Sequence, residues 1–187
     1  MRKLKLQVQM SDDGFVCGPN GELDWMTWNW DDELKKFVTE LSEPIDTILL
    51  GKNMTDGFVS HWKNVKADKD NPEHWAGVKF TDTPKVVFSK SLKESAWENT
   101  TLASGDLTEE VNKLKSADGS CLMVYGGAGF VSSLIKADLI DDYYLFINPT
   151  AIGTGKRIFD EITGKKTLSL KGSFKYECGI VVNHYQK

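Results

Sequence analysis

The chain is poor in the residues that build metal sites and disulfide frameworks. Its three cysteines, Cys17, Cys121 and Cys178, are odd in number and far apart, with no CxxC spacing, so neither a zinc site nor a disulfide scaffold is expected. The three histidines, His61, His74 and His184, are equally scattered and form no HExxH-type pair; each is expected as a surface or internally satisfied side chain, and no metal is expected. There is no long basic block, and the formal net charge is only −4. Nucleic acid is therefore not an expected partner, although a local basic patch can still hold a phosphate. No apolar run reaches transmembrane length, and residues 1–8 alternate instead of forming the continuous apolar core of a signal peptide. The expectation is a cytoplasmic protein with no membrane partner. No repeat, linker or low-complexity segment divides the chain, which predicts one domain over residues 1–187.

What is present is enough apolar material for a sizeable core, including six tryptophans, and a stretch around which the rest is organised. Leu122 to Tyr125 is an apolar run. Gly126-Gly127-Ala128-Gly129 interrupts it, and Phe130, Val131, Leu134 and Ile135 follow at helical spacing. That reads as strand, tight turn and helix. Glycines let backbone N–H groups come close to a ligand, and a helix start adds unpaired donors and a positive dipole end suited to phosphate. The other reading is a turn that merely packs a helix on a sheet.

Upstream, Lys3 to Met10 alternates as a half-buried strand and breaks at Ser11-Asp12-Asp13-Gly14. A loop with three tryptophans, Trp25, Trp28 and Trp30, follows the turn signal Gly18-Pro19-Asn20-Gly21. These rings either wall a flat-ligand pocket or pack the loop on the core. Asp31-Asp32-Glu33 opens a helix that ends at Glu43-Pro44. Ile45 to Leu50 is a buried strand, running directly into Gly51-Lys52-Asn53 and a short helix marked by Phe58, Val59 and Trp62. Lys63 to Gly77 is polar and reads as a loop or short helical excursion. Pro84 to Ser91 is a strand ending in Ser89-Lys90-Ser91, and Trp97 to Leu102 is a short strand. Asp106 and Glu109 form a capping-box pattern before the next helix. Beyond Ile135, Tyr143 to Pro149 is a strand and Ala151 to Arg157 a second glycine-rich loop. Two strand-like pieces, Thr167 to Leu170 and Phe174 to Val182, surround Gly172-Ser173, which predicts an antiparallel hairpin turning there.

This alternation predicts an α/β fold with a mostly parallel central sheet flanked by helices on both faces and a C-terminal antiparallel hairpin. Ligands of such sheets lie outside the carboxyl ends of the strands. Three exits carry suitable chemistry: Gly51-Lys52-Asn53, Ser89-Lys90-Ser91 and Gly126 to Gly129. Two offer cations and the third offers backbone donors, a combination fitted to a multiply phosphorylated ligand.

On these residues the chain resembles the dihydrofolate reductase superfamily, and within it the RibD C-terminal-domain-like reductases. Ser11 to Trp25 resembles the family's opening strand and substrate loop, and Leu49 to Met54 its Leu-Gly-Arg-x-Thr junction. Val87 to Leu92 resembles the Ser-Arg/Lys exit, Tyr125 to Ala128 the Gly-Gly turn, and Pro149 to Phe159 the Pro-x-x-x-Gly-x-Gly-x-x-Leu-Phe segment. The resemblance implies a dihydrofolate-reductase-like fold that binds NADPH and transfers hydride to a heterocyclic substrate. Carried over by motif, it implies that Gly51, Lys52 and Asn53 meet cofactor phosphates and that Ser89 and Lys90 lie near the adenosine 2′-phosphate. It further implies that Gly126, Gly127, Ala128, Gly129 and Phe130 hold the pyrophosphate and that Val16 and Cys17 line the nicotinamide. Asp13, Trp25 and the acids at Asp31 and Asp32 would face the substrate, with Asp32 or Asp31 as candidate proton relay and Glu33 as the alternative one register away. The nearest activity implied is 5-amino-6-(5-phosphoribosylamino)uracil reduction in riboflavin biosynthesis. The alternatives are a dihydrofolate or pteridine reductase, which the acidic helix start favours over a phosphate-recognising site, and a non-catalytic nucleotide-binding homodimer. A homodimer is expected in any of these cases.

Overall fold

A computed structural model describes residues 1–187. Eight strands form one sheet: β1 (Lys3–Ser11), β2 (Ile45–Gly51), β3 (Lys85–Phe88), β4 (Thr100–Ala103), β5 (Cys121–Val124), β6 (Asp142–Asn148), β7 (Ser169–Lys175) and β8 (Val181–Gln186). Five helices connect them: α1 (Asp32–Ser42), α2 (Lys52–Ala67), α3 (His74–Asp82), α4 (Leu107–Ser116) and α5 (Ala128–Lys136). The spatial strand order is β4-β3-β2-β5-β1-β6-β8-β7. Strands β1 to β6 run parallel, and β8 and β7 add the antiparallel hairpin at one edge.

The period-2 alternation of each strand divides the core in two. Leu4, Leu6, Leu49, Leu122 and Val124 face α4 and α5, where Val111, Val131 and Leu134 close the layer. Ile48, Leu50, Met123 and Phe146 face the opposite way, against Leu34 and Leu41 of α1, Phe58 of α2 and Phe80 of α3. Both faces of the parallel part are therefore covered, as a parallel sheet requires.

Three local expectations change. The polar segment from Lys63 to Gly77 is mostly helical: α2 continues to Ala67 and α3 begins at His74, leaving only residues 68–73 as a loop. Phe58, Trp62 and Val65 continue one apolar stripe at helical spacing, and the charged residues between them are simply its solvent face. The hairpin does not turn at Gly172-Ser173. Both lie inside β7, at a register shift where the missing Cβ of Gly172 leaves room for the Phe174 ring, 2.7 Å from where that Cβ would stand. The chain instead turns at residues 176–180, with Gly179 at φ +92° and its N–H donating to the Tyr176 carbonyl. At α4 the Asp106 carboxylate accepts from Thr108 and Glu109 N–H groups, and Glu109 makes no return bond.

Candidate functional site

Parallel pairing puts the carboxyl ends of β1 to β6 on one rim of the sheet. The three exits singled out from sequence follow β2, β3 and β5, which are neighbours in the order β3-β2-β5. Their residues touch. Lys52 Nζ donates to Ser91 Oγ at 3.0 Å, joining the β2 and β3 exits. Phe88 and Phe130 rings lie 4.9 Å apart, joining the β3 and β5 exits. A Cβ on Gly51 would fall 2.8 Å from the Phe130 Cβ, and one on Gly126 would lie 3.6 Å from the Met54 sulfur. The α2 and α5 starts are thus packed together, and glycine permits the approach at Gly51.

Those two starts differ from the starts of α1 and α4, while α3 also begins without a side-chain cap, at Glu73. At α1 and α4 an aspartate side chain, Asp31 or Asp106, accepts from the first-turn N–H groups. At α2 and α5 the N-cap is a glycine, Gly51 or Gly127, with no side-chain acceptor. Gly127 takes φ +83°, a conformation that a side chain would strain. First-turn amides have no intrahelical partner, so two sets of donors and two positive dipole ends meet at one place beside the exposed cation of Lys52. Asn53 is exposed in the first turn of α2, and Lys90 is exposed one residue beyond Ser89. Ser89 Oγ accepts from the Ser91 and Leu92 N–H groups, which fixes the β3 exit as a tight turn. Next to it, Lys52, Asn53, Leu92, Trp97 and the carboxylates of Asp56 and Glu94 line a groove of about 560 Å³. Trp97 is held there by a 2.7 Å bond from its indole nitrogen to Asp56. Sequence reading missed Trp97 as part of this corner.

The rim continues across β1 and β6. Asp13 staples two loops: its carboxylate accepts from Ser11 Oγ at 2.7 Å and from the Ile152 and Gly153 N–H groups. The Ser11 bond, helped by the backbone donors and outweighing desolvation, holds the Asp13 carboxyl below the usual range. Val16 is buried, and Cys17 pairs with Lys156 as an isolated antiparallel bridge. A Cβ on Gly155 would strike the Cys17 carbonyl, so the second glycine-rich loop needs its glycine to lie here. Burial pushes the Cys17 thiol up, which suits a wall and not a nucleophile.

The tryptophan loop lies over the ends of β1 and β6. Asn148, fully buried, accepts from the Thr27 N–H through Oδ1 and donates to Gln9 Oε1 through Nδ2. Trp30 stacks on Phe146 at 6.4 Å, and Trp28 on Trp30 at 6.5 Å. Trp25, half-buried, donates its indole N–H to the Glu22 carbonyl. The α1 acids stand beside this loop with different duties. Asp31 caps α1, accepting from Leu34 N–H at 2.8 Å and from Cys178 N–H at 3.1 Å, and these bonds hold its carboxyl below the usual range. Asp32 is fully exposed, with Lys35 3.6 Å away. The structure brings together the candidates at the β2, β3 and β5 exits, places Val16 and Cys17 farther along the rim, and leaves neither acid buried. Asn148 is a further residue that sequence reading missed; it was read only as part of a strand.

Comparison with known proteins identifies the family and the fold. The family model for the RibD C-terminal domain matches residues 2–182. The chain belongs to the RibD C-terminal domain family. Two relatives from Bacillus subtilis (strain 168), both named as uncharacterized proteins, match this RibD C-terminal domain along nearly its whole length. YyaP is 30% identical over 96% of this chain and 92% of its own length. YwjB is 26% identical over 94% and 92%. Among solved structures, one from Shewanella sp. PV-4 named for riboflavin biosynthesis superposes with a TM-score of 0.74 at 22% identity, covering 100% of this chain and 98% of that one. The Thermotoga maritima diaminohydroxyphosphoribosylaminopyrimidine deaminase/5-amino-6-(5-phosphoribosylamino)uracil reductase gives 0.70 at 16% identity. That match covers 99% of this chain but 56% of the longer Thermotoga protein. The fold is accordingly dihydrofolate-reductase-like α/β, as the motifs implied. No helix is long and apolar enough to cross a membrane.

Proposed function

We propose that the protein is an NADPH-dependent oxidoreductase that reduces a flat heterocycle. The observation that carries this reading is the meeting of two glycine-started, uncapped helices, α2 and α5, beside Lys52 on one rim. Backbone donors, dipole ends and a cation at one point suit the pyrophosphate of a dinucleotide. Gly51, Lys52, Asn53 and Gly126 to Phe130 are the residues assigned to it. Ser89 and Lys90, beside the groove walled by Trp97, are assigned to the adenosine end and its 2′-phosphate. Val16 and Cys17, farther along the rim, are assigned to the nicotinamide end, and Asp13 and Trp25 to the substrate.

Bound there, NADPH supplies the hydride, and the protein aligns two rings and keeps water from between them. Asp31, held as a charged cap, and Asp32, in open solvent, contribute negative field at the substrate end and not a buried proton donor; the accompanying proton is assigned to solvent at the rim. Family membership, and the reductase named in the Thermotoga protein, support oxidoreductase chemistry, with an aminouracil or a pteridine as substrate class. The outer edge of β7, beside exposed Leu170 and Phe174, is the surface we assign to a homodimer.

Thermal melting with and without NADPH tests the reading, since a ligand of the folded state raises Tm. A rise, with NADPH oxidation by one member of an aminouracil and pteridine panel, is expected. No rise at millimolar NADPH would remove the oxidoreductase reading and leave a scaffold that kept the fold.

A further inference from the structure

We infer that the substrate end of the rim selects an unphosphorylated, neutral or cationic flat ring, with the open face of Trp28 as its stacking platform. The inference rests on the oxidoreductase reading for its choice of which end of the rim takes substrate.

Two independent features of the tryptophan loop lead there. The first is a staircase of rings. Phe146 sits in the core, Trp30 lies over it at an interplanar angle of 26°, and Trp28 lies over Trp30 at 20°. Trp28 is the last step and is 64% exposed. The loop beneath it is pinned and not free: Trp30 Nε1 donates to the Thr27 carbonyl at 2.7 Å, and the Thr27 N–H donates to buried Asn148 at 2.9 Å. A large aromatic face is thus held out to solvent at the ends of β1 and β6, and a planar ligand would add the next step.

The second feature is charge. Asp12 to Glu33, the segment that forms this end of the rim, contains seven carboxylates and no lysine, arginine or histidine. The charges are fixed ones. Asp13 and Asp31 accept backbone and hydroxyl bonds, and Glu22 accepts from Asn20, so each stays ionised at neutral pH. Two cations border the segment. The Arg157 guanidinium lies 4.3 Å from the Phe15 ring centre and donates to the Asp13 carbonyl, and Lys156 stands beside Glu22 and Cys17. A phosphate carried into this field meets seven carboxylates against these two cations, a net excess of like charge, whereas a neutral ring meets only the aromatic wall. The opposite holds at the β2, β3 and β5 exits, where Lys52, Lys90 and two helix starts await anions. One rim therefore carries an anion-binding half and an anion-rejecting half.

Riboflavin and its 5′-phosphate, FMN, are a matched pair of flat probes that differ only in the phosphate. Their binding is measured by quenching of tryptophan fluorescence in the dark, with NADP⁺ saturating the cofactor half. Riboflavin is expected to bind at least tenfold more tightly than FMN in low salt, with the ratio falling as salt screens the carboxylates. Trp28→Ala is expected to weaken riboflavin about tenfold while NADP⁺ binding is kept. Equal or tighter binding of FMN, binding of neither flavin, or an unchanged riboflavin affinity in Trp28→Ala would overturn the inference. Failure of NADP⁺ to bind would instead strike the oxidoreductase reading, and the two flavins compared without NADP⁺ would still decide the charge preference.

Discussion

Gly51→Ala is the substitution that bears most directly on how α2 and α5 are brought together. Gly51 is buried at the end of β2 and caps α2. Its new Cβ would lie 2.8 Å from the Phe130 Cβ and 3.3 Å from its Cγ. Neither is the far end of a flexible side chain, and Phe130 is backed by the Phe88 ring at 4.9 Å. The start of α5 must therefore move away from the start of α2. Overpacking of this kind costs about 1–3 kcal/mol, which in a domain of this size lowers Tm by roughly 2–12 °C. Gly57→Ala is the internal control. Gly57 lies on the exposed side of the same helix, a Cβ there meets nothing within 4 Å, and removing a mid-helix glycine should stabilise by about 0.5–1 kcal/mol. The assay is thermal melting of the three proteins with and without NADPH. At a hundredfold excess over Kd, the wild type and Gly57→Ala should gain about 2.7 kcal/mol. Gly51→Ala should gain less, by about 1.4 kcal/mol for each tenfold loss of affinity. A Gly51→Ala protein that is destabilised yet gains the full NADPH increment, or one as stable as the wild type, would refute the reasoning.

Other expectations are independent of this one. Lys85 is buried at the amino end of β3, where Nζ donates to the Thr81 and Thr83 carbonyls, and burial lowers its pKa from 10.5 to about 8. Because the folded value is the lower one, the unfolded chain binds more protons between pH 8 and 10.5, and folding stability from this group rises with pH across that window. The stability of the wild type relative to Lys85→Met, from urea unfolding, should therefore rise by about 3 kcal/mol in total through that range; parallel pH curves would exclude the buried cation. Lys90→Glu should abolish any preference for NADPH over NADH while leaving NADH binding within about twofold, and an unchanged preference in titrations would remove Lys90 from the 2′-phosphate. Asp32→Asn should leave the pH profile of NADPH oxidation unmoved, because the carboxylate stands in solvent; a shifted profile would restore it as the proton relay.

The parts of this protein that are legible in its sequence are those fixed by neighbours in the chain. Asp31 and Asp106 announce helix starts because an N-cap bonds within three residues, and the Gly126 to Gly129 cluster announces a tight turn between strand and helix. The rim itself followed from alternation, since parallel strands joined through helices expose all their carboxyl ends together. What was hidden depends on distant partners. Asn148 pins the tryptophan loop from 121 residues away, through Thr27, and no local pattern encodes that. The alternation of β1 suggests a half-buried strand without revealing its place between β5 and β6. Gly172 mimics a turn signal but serves to seat Phe174, so the hairpin turns at Gly179 instead. The α1 acids illustrate a different limit: residue type and position suited a proton relay, but capping geometry had already committed Asp31.

The central claim is that the β2, β3 and β5 exits form one anion-binding rim. It is tested most directly by amide chemical shifts of the ¹⁵N-labelled protein during an NADPH titration. The account predicts saturating shifts concentrated at Asn53, Met54, Ser91, Ala128, Gly129 and Phe130, moving together with one Kd. Shifts confined to one exit, or centred away from these amides, would contradict it.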